Sequence, residues 1–430
     1  MQSKTLSMKK TNALARQRAI YLAGAAGLRQ KIPFDPLLLE QCAKEKMSAE
    51  AFAYVAGGAG LERTMAANTG GFERWRIVPR MLRNVEVRDM SIDFLGKKIP
   101  APFFLAPIGV LEMAHEAADL AVAKAAVRFG IPYIFSNQAS VPMEQCAAAM
   151  GDVPKLFQLY WSRSNELVAS FLRRAEACGC SAIVVTLDTT MLGWRTRDLD
   201  MASLPFLRGM GIAQYTSDPV FRRLLDEPDD TPRPKTKVNL AAIGTLISAN
   251  MKYPGNFWDN MRSGRGLKAV RKFTQIYSRP NITWADLPFL REYTKLPIIL
   301  KGILHSDDAR KALDYGVDGI YVSNHGGRQV DGAVGAIEAL PKVVEAVKGK
   351  VPVLFDSGVR GAADAFKALA LGAAAVGIGR PYCYALAIAG QAGVEELLEN
   401  WLADFELTMG LAGCKNVEEV RMPGTVAQAV

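Results

Sequence analysis

From about residue 100 onward the chain repeats one unit, a short apolar or β-branched run followed by an Ala-rich amphipathic stretch that closes near a glycine. A strand covered on both faces reads as a continuous apolar run, and a helix laid over it shows one apolar stripe, so this alternation predicts parallel β-α units. The strands are predicted near Pro102–Ala106, Tyr133–Ser136, Leu156–Leu159, Ala182–Leu187, Pro297–Lys301, Gly319–Ser323, Val351–Phe355 and Ala375–Ile378. Helices are predicted over Asp119–Phe129, Glu166–Cys178, Ser306–Tyr315, Gly335–Val347 and Ala362–Leu371, each with a nearby glycine suited to a left-handed cap. Eight such units in series predict an α/β fold, a (β/α)8 TIM barrel, rather than an open doubly wound sheet.

Successive strands begin 22 to 32 residues apart, except that about 110 residues separate the fourth from the fifth. The excess, about residues 200–281, mixes charge with Pro and Gly and lies on a β-to-α connection, the side of a barrel where active sites form. It is read as a lid, with an inert or membrane-touching excursion as the alternative. Residues 35–425 are assigned to one barrel domain, whose N-terminal helical segment includes a predicted helix over Leu37–Ala56 that covers one end.

The net charge of +9 invites a nucleic-acid reading, but its distribution opposes one. Residues 1–34 hold seven Lys or Arg and no acid, leaving +2 for the rest of the chain. A body so near neutrality, without zinc-finger or helix-turn-helix spacing, does not suit a nucleic-acid groove. The basic head is read as an N-terminal arm, with an organellar transit peptide as the alternative. The final Gln428-Ala429-Val430 is not a peroxisomal tripeptide. Uncharged apolar runs stop short of the roughly 18 residues a membrane span requires, and six scattered cysteines point to a reducing compartment, the cytoplasm.

Polar residues cluster where barrel strands end: Ser136-Asn137-Gln138, Gln158 with Tyr160, Thr186 with Asp188, Lys301, Ser323-Asn324-His325, Asp356-Ser357 and Gly379-Arg380. Such groups are costly to bury and need partners or a ligand, although any single Ser or Thr can be a satisfied core residue. Of the three histidines, His325 directly follows a strand in Ser323-Asn324-His325-Gly326-Gly327-Arg328-Gln329. A histidine there can take a proton near neutral pH if a buried carboxylate such as Asp188 holds its tautomer; the alternative is a structural histidine. His115 and His305 begin helices and read as caps or packing residues. Cys178-Gly179-Cys180 alone does not make a metal site, and no metal is expected. Asp356-Ser357-Gly358-Val359-Arg360-Gly361 and Gly377-Ile378-Gly379-Arg380, after the last two strands, combine glycine-freed amides with arginines and predict a phosphate cradle.

Ser-Asn-His-Gly-Gly-Arg-Gln at 323–329, Asp-Ser-Gly-Val-Arg at 356–360, Leu-Lys-Gly at 300–302, Phe-Gln-Leu-Tyr at 157–160 and Gly-Arg-Pro at 379–381 together resemble the FMN-dependent α-hydroxy acid oxidases and dehydrogenases. The similarity runs from about Tyr54 to Gly413. Within that family Ala106–Val110, Gly193-Trp194-Arg195, Pro205–Gly209 and the long insertion are most similar to lactate monooxygenase.

The resemblance implies an FMN across the barrel mouth. Ser136, Gln158 and Thr186 are expected at its pyrimidine edge, and Pro107, Ile108 and Gly109 beside N5. Lys301 is expected near N1 and the C2 carbonyl, where a cation stabilises the reduced ring, and Ser323 is a further flavin contact. Asp356 takes the ribityl hydroxyls, while Ser357, Gly358, Val359, Arg360, Gly379 and Arg380 hold the phosphate. Many relatives carry glycine in place of Ser357, a small exchange expected to matter little. Arg328, assisted by Arg195, is expected to bind the substrate carboxylate, with Tyr54 and Tyr160 beside it and His325 paired to Asp188 as base. Hydride and carbanion routes use the same residues. The implied partners are a small 2-hydroxy acid, lactate first, and O2; neither nucleic acid nor membrane is expected, and relatives imply a homo-oligomer, tetramer or octamer. Gly109, where related oxidases often carry Ala, is expected to leave room beside N5 for oxygen and product, and the resemblance implies that the long lid holds the keto acid until peroxide decarboxylates it, giving acetate, carbon dioxide and water. Simple oxidase and membrane-surface quinone-linked dehydrogenase, the latter using Ala241–Met251, stay open.

Overall fold

The computed structural model describes residues 12–228 and 239–429. Eight parallel strands close into a barrel: β1 Phe103–Leu105, β2 Tyr133–Phe135, β3 Lys155–Leu159, β4 Ile183–Thr186, β5 Ile298–Lys301, β6 Gly319–Val322, β7 Val353–Phe355 and β8 Ala375–Ile378. Closure is made by β8 on β1, with Val376, Gly377 and Ile378 in register with Phe103, Phe104 and Leu105. Every strand residue is buried, as apolar runs covered by helices outside and side chains inside must be. Inside, Phe104 and Tyr321 meet edge to face at 5.5 Å. A Cβ on Gly377 would lie 2.8 Å from Phe104 and 2.9 Å from the Tyr321 hydroxyl, so glycine is what lets both rings fit.

The connecting helices start where the chain supplies a cap. Ser164 Oγ accepts the Leu167 N–H ahead of Asn165–Ala177, and His305 Nδ1 accepts the Asp307 N–H at 3.1 Å ahead of Ser306–Asp314, the capping role expected of that histidine. The helix Ala118–Phe129 ends on Gly130 at φ 66°.

One expected helix is two. Leu37–Ala56 divides into Pro36–Lys46 and Ala49–Ala56, because Ser48 is extended and its hydroxyl accepts the Ala51 N–H, opening a new helix instead of continuing the first. The break turns Ala49–Ala56 so that Tyr54 and Val55 reach the barrel mouth.

The folded body extends beyond the expected 35–425 at both ends. Val426–Gln428 pairs antiparallel with Trp75–Ile77. Within the basic arm, residues 1–11 lie outside the described residues, and Ala13–Ala25 is a helix docked on the C-terminal helical stretch Arg380–Leu411, which is broken by a kink at Ala389 and Gly390. Ala13 N–H donates to Glu406 at 2.8 Å and Arg16 to Asn400 at 2.9 Å.

The described part of the insertion after β4 is itself folded; residues 229–238 lie outside the described residues. Helices Pro219–Leu224, Leu240–Lys252 and Arg265–Ile276 surround an aromatic cluster in which Phe273 contacts Phe206 at 5.1 Å, Tyr215 at 4.8 Å and Tyr277 at 5.0 Å. Tyr215 meets Phe171 of Asn165–Ala177 at 5.1 Å, and buried Asp218 accepts from Ser170 at 2.8 Å and Arg174 at 3.0 Å. The insertion is thereby anchored to the barrel wall, with Phe206 and Tyr277 over its mouth. Among the described residues no helix is long and apolar enough to cross a membrane.

Candidate active site

A cavity opens at the C-terminal ends of the strands, and every strand or the connection after it contributes to its lining. Pro107, Ile108 and Gly109 follow β1, Gln138 follows β2, Gln158 and Tyr160 come from β3 and its end, and Thr186 with Thr189 from β4 and its end. Lys301 closes β5; His325 and Arg328 follow β6; Asp356–Arg360 follow β7; Gly379 and Arg380 follow β8. Arg195, Leu192, Phe206 and Tyr277 arrive from the long connection after β4, and Tyr54 from the N-terminal segment.

His325 sits at φ 59°, a conformation stabilised by its surroundings. Its N–H donates to Ser323 Oγ at 3.1 Å, and the following Gly327 N–H donates to Asn324 Oδ1 at 3.1 Å. Asn324 and Asn68 exchange side-chain hydrogen bonds of 2.7 and 2.8 Å beneath it. The imidazole Nδ1 lies 2.7 Å from Asp188 Oδ1, which also accepts from Thr189 at 2.8 Å. An ionised carboxylate accepts only, so it places the imidazole proton on Nδ1 and leaves Nε2 as a base toward the cavity, 3.4 Å from the Tyr160 hydroxyl. Burial would raise the Asp188 pKa, but His325 and Lys301 outweigh it and bring it down to about 2. Burial lowers the His325 pKa below 6.5, against the upward pull of Asp188, so the neutral base is the resting form at neutral pH.

Two guanidinium groups face this pair. Arg328 donates to the carbonyls of Tyr54 and, at 2.9 Å, Gly57, and lies 4.9 Å from the Tyr54 ring centroid. Arg195 donates to the Arg328 carbonyl at 3.3 Å and to the Gln329 amide oxygen at 3.1 Å. Burial and the neighbouring Arg195 bring the Arg328 pKa down to about 9, still protonated at neutral pH. Among the described residues no carboxylate stands within ion-pairing distance of either, although Asp198 is close enough to feel both charges. Arg195 is buried and Arg328 partly so, and neutral groups, carbonyls, an amide and the Tyr54 ring, surround them, which suits an incoming carboxylate.

The remaining polar atoms fit the flavin that the sequence suggests. Gln158 Nε2 and Thr186 Oγ1 are buried without a hydrogen-bond partner at the cavity wall, one a donor and the other able to donate or accept, as a pyrimidine edge requires. Gln158 is held in place because its Oε1 accepts the Asn137 N–H at 3.1 Å and the Ser136 hydroxyl at 3.4 Å. Lys301, 3% exposed, donates to Ser323 Oγ at 2.8 Å and lies 3.9 Å from both Asp188 and Asp356. Beyond β8, a Cβ on Gly379 would meet nothing within 4 Å, and Arg360 lines the same cavity, so the residues present suit a phosphate. Gly358 is at φ 88° with its missing Cβ position 2.5 Å from the Asn68 carbonyl oxygen.

Several expected contacts are displaced by one layer. Ser136 and Ser323 do not line the cavity; they sit behind Gln158 and Lys301 and orient them, while Asp188 stands behind His325, the partner the sequence reading gave it. Arg380 commits donors to the carbonyls of Val55, Gly326 and Gly57 at 3.0, 2.9 and 2.9 Å, so it ties the N-terminal segment to the His325 loop as well as facing the cavity. A methyl at Gly109 would meet Gln138 at 3.1 Å rather than open space, so glycine here also accommodates the Gln138 backbone. Ser357 is more than a small spacer. At φ 83° it adopts a backbone that favours glycine, and its hydroxyl donates to Asp356 at 2.8 Å while accepting the Gly326 N–H at 3.0 Å.

Thr189, Leu192 and Tyr277 line the site without having been singled out from sequence, and Gln138 and Phe206 line it without having been given a role there. Thr189, beside Asp188 at a strand end, carried the same polar signal as its neighbours; the others depend on loop paths.

Comparison with known proteins agrees with this geometry. The profile of the FMN-dependent dehydrogenases matches residues 43–426. An L-lactate oxidase of Lysinibacillus sphaericus is 40% identical over 383 residues, 89% of this chain and 90% of the relative. Human 2-hydroxyacid oxidase 1 is 37% identical over 382 residues, 89% and 93% of the two chains. A crystal structure of mandelate oxidase superposes with a TM-score of 0.73 at 35% identity, covering 93% of this chain and 99% of that one, and a mutant of mandelate oxidase has been solved with an FMN adduct.

Proposed function

The chain belongs to the FMN-dependent dehydrogenase family, and on that premise we propose that it oxidises a small L-2-hydroxy acid, L-lactate first, with O2 as electron acceptor and with oxidative decarboxylation of the product. For lactate the balance is one lactate and one O2 to acetate, carbon dioxide and water. FMN, when bound, accepts the two electrons lost from the substrate carbon. Arg328 and Arg195 hold the carboxylate, which fixes the hydroxyl toward His325 Nε2 and the Tyr160 hydroxyl. Nε2 takes the hydroxyl proton, and the imidazolium so formed is stabilised by Asp188 at 2.7 Å. Lys301 keeps a fixed positive charge on the cavity wall. Leu192, Phe206 and Tyr277 shield the site from water, and this enclosure supports retention of the keto acid.

The observation that carries the reading is the His325–Asp188 pair facing two guanidinium groups that have no ion-paired carboxylate among the described residues. The test is anaerobic bleaching of the FMN-loaded protein by a panel of L-2-hydroxy acids, followed by product analysis in air. Bleaching by L-lactate with acetate and carbon dioxide in air supports the full proposal. Stoichiometric pyruvate and peroxide under all conditions assigns a simple oxidase, which the named oxidase relatives favour. A quinone-linked membrane-surface enzyme is favoured by one feature, the exposed Leu240, Ile243, Ile247 and Met251 along Leu240–Lys252; vesicle flotation with slow reoxidation by O2 would support it.

A further inference from the structure

Gln329 belongs to the His325 loop, yet the chemistry above leaves it without a task. Its side chain crosses to the connection after β4. Nε2 donates to the carbonyls of Asp188 at 2.8 Å and Met191 at 3.0 Å, and Oε1 accepts from Arg195 Nη2 at 3.1 Å. One amide therefore holds the main chain of the residue that orients His325 and, with its other end, the outer guanidinium.

The approach of the two loops is close. A Cβ on Gly193 would stand 2.5 Å from the Arg328 carbonyl oxygen, 2.8 Å from the Gln329 carbonyl oxygen and 2.9 Å from Gln329 Cα. Only glycine admits this contact, so the connection from Asp188 to Arg195 is pressed onto the Arg328–Gln329 backbone and latched there by the amide. The chemistry of the latch matters as well. A neutral oxygen steers Arg195 without cancelling its charge, whereas a carboxylate at the same place would pair with it and compete with the substrate.

We infer that Gln329 is a positioning residue that couples carboxylate binding at Arg195 to the alignment of Asp188 and His325. The inference rests on the 2-hydroxy acid reading given above. Gln329→Met removes all three hydrogen bonds, and Gln329→Glu retains volume and an acceptor for Arg195 while setting negative charge against two carbonyls. Both are compared with the parent in FMN content, melting temperature, KM and kcat for L-lactate, and again in an Arg195→Gln background.

Loss of a hydrogen bond to a charged group is expected to raise KM about tenfold in Gln329→Met, with a larger rise in Gln329→Glu and with FMN content retained. In the Arg195→Gln background the rise in KM is expected to disappear, because a residue acting through Arg195 has nothing left to position. A purely structural role would lower melting temperature or FMN content in both backgrounds alike. Parental KM and kcat in both variants, or an undiminished effect of Gln329→Met without Arg195, overturns the inference. A parent that no 2-hydroxy acid bleaches overturns instead the reading on which it rests. Gln329→Glu carries the comparison alone where the Met variant does not load FMN.

Discussion

Replacing Asp188 by Asn removes one charge and almost no volume, so its effect isolates what the carboxylate does for His325. The imidazolium that forms when Nε2 takes a proton has Asp188 Oδ1 at 2.7 Å from Nδ1. With about 4 Å between charge centres and an effective dielectric near 20, the attraction is about 4 kcal/mol. Lys301, 3.9 Å from the other carboxylate oxygen, already draws on that charge, so about 2 to 4 kcal/mol is the range to expect. At 1.36 kcal/mol per tenfold this slows the chemical step roughly 30- to 900-fold. The assay is stopped-flow anaerobic bleaching at saturating L-2-hydroxy acid, across pH. Because Asp188 pulls the His325 pKa upward against burial, its loss is expected to lower that pKa further, so the acid limb moves to lower pH while the plateau falls. An FMN-loaded variant whose plateau falls by less than about threefold and whose acid limb stays in place would show that the carboxylate does not stabilise the imidazolium.

Arg328→Lys keeps the charge but loses the planar fork, and KM for the substrate is expected to rise about tenfold or more with FMN content unchanged; an unchanged KM would remove Arg328 from carboxylate binding. Gly358→Ala places a methyl 2.5 Å from the Asn68 carbonyl oxygen at φ 88°, and it is expected to cost about 1 to 3 kcal/mol of stability and to lower the flavin-to-protein absorbance ratio of the purified protein. Asp119 is buried, and burial raises its pKa to about 7 even though it accepts the Ser140 and Val141 N–H groups and the Tyr133 hydroxyl. Between its ordinary value of 3.8 and about 7 the folded protein holds a proton the unfolded chain has released, so this group makes stability fall as pH rises through that window. Asp119→Asn is expected to flatten that part of the stability curve in denaturant titrations at pH about 4.5 and 7, and equal slopes in parent and variant would contradict the burial argument.

The barrel was legible because each strand is buried on both faces and so shows an unbroken apolar run, and because the next residue outward is polar. Lys301 at the end of Ile298–Lys301 and Gln158 within Lys155–Leu159 carry both signals at once. The helix Leu37–Ala56 was misread because its apolar spacing is continuous through Ser48, while the backbone follows the hydroxyl cap. At the site, strand-end residues could be placed by chemistry alone. Whether a polar residue faces the cavity or stands behind it could not, since this turns on which neighbour takes its hydroxyl, as with Ser136 on Gln158 and Ser323 under Lys301. The place of Phe206 and Tyr277 over the mouth was hidden for a different reason: the path of the insertion is set by the aromatic cluster around Phe273, which has no periodic signature. The strain at Ser357 also leaves no trace in composition, because only the folded loop asks a serine to take φ 83°.

The account stands on His325 Nε2 as the base. The direct measurement is the rate at which L-lactate bleaches FMN-loaded His325→Gln in the absence of oxygen, alongside the parent. Rapid bleaching of the parent and a loss of at least about a thousandfold in the variant, with equal FMN content, is the expected result. A variant that bleaches at the parental rate would contradict it.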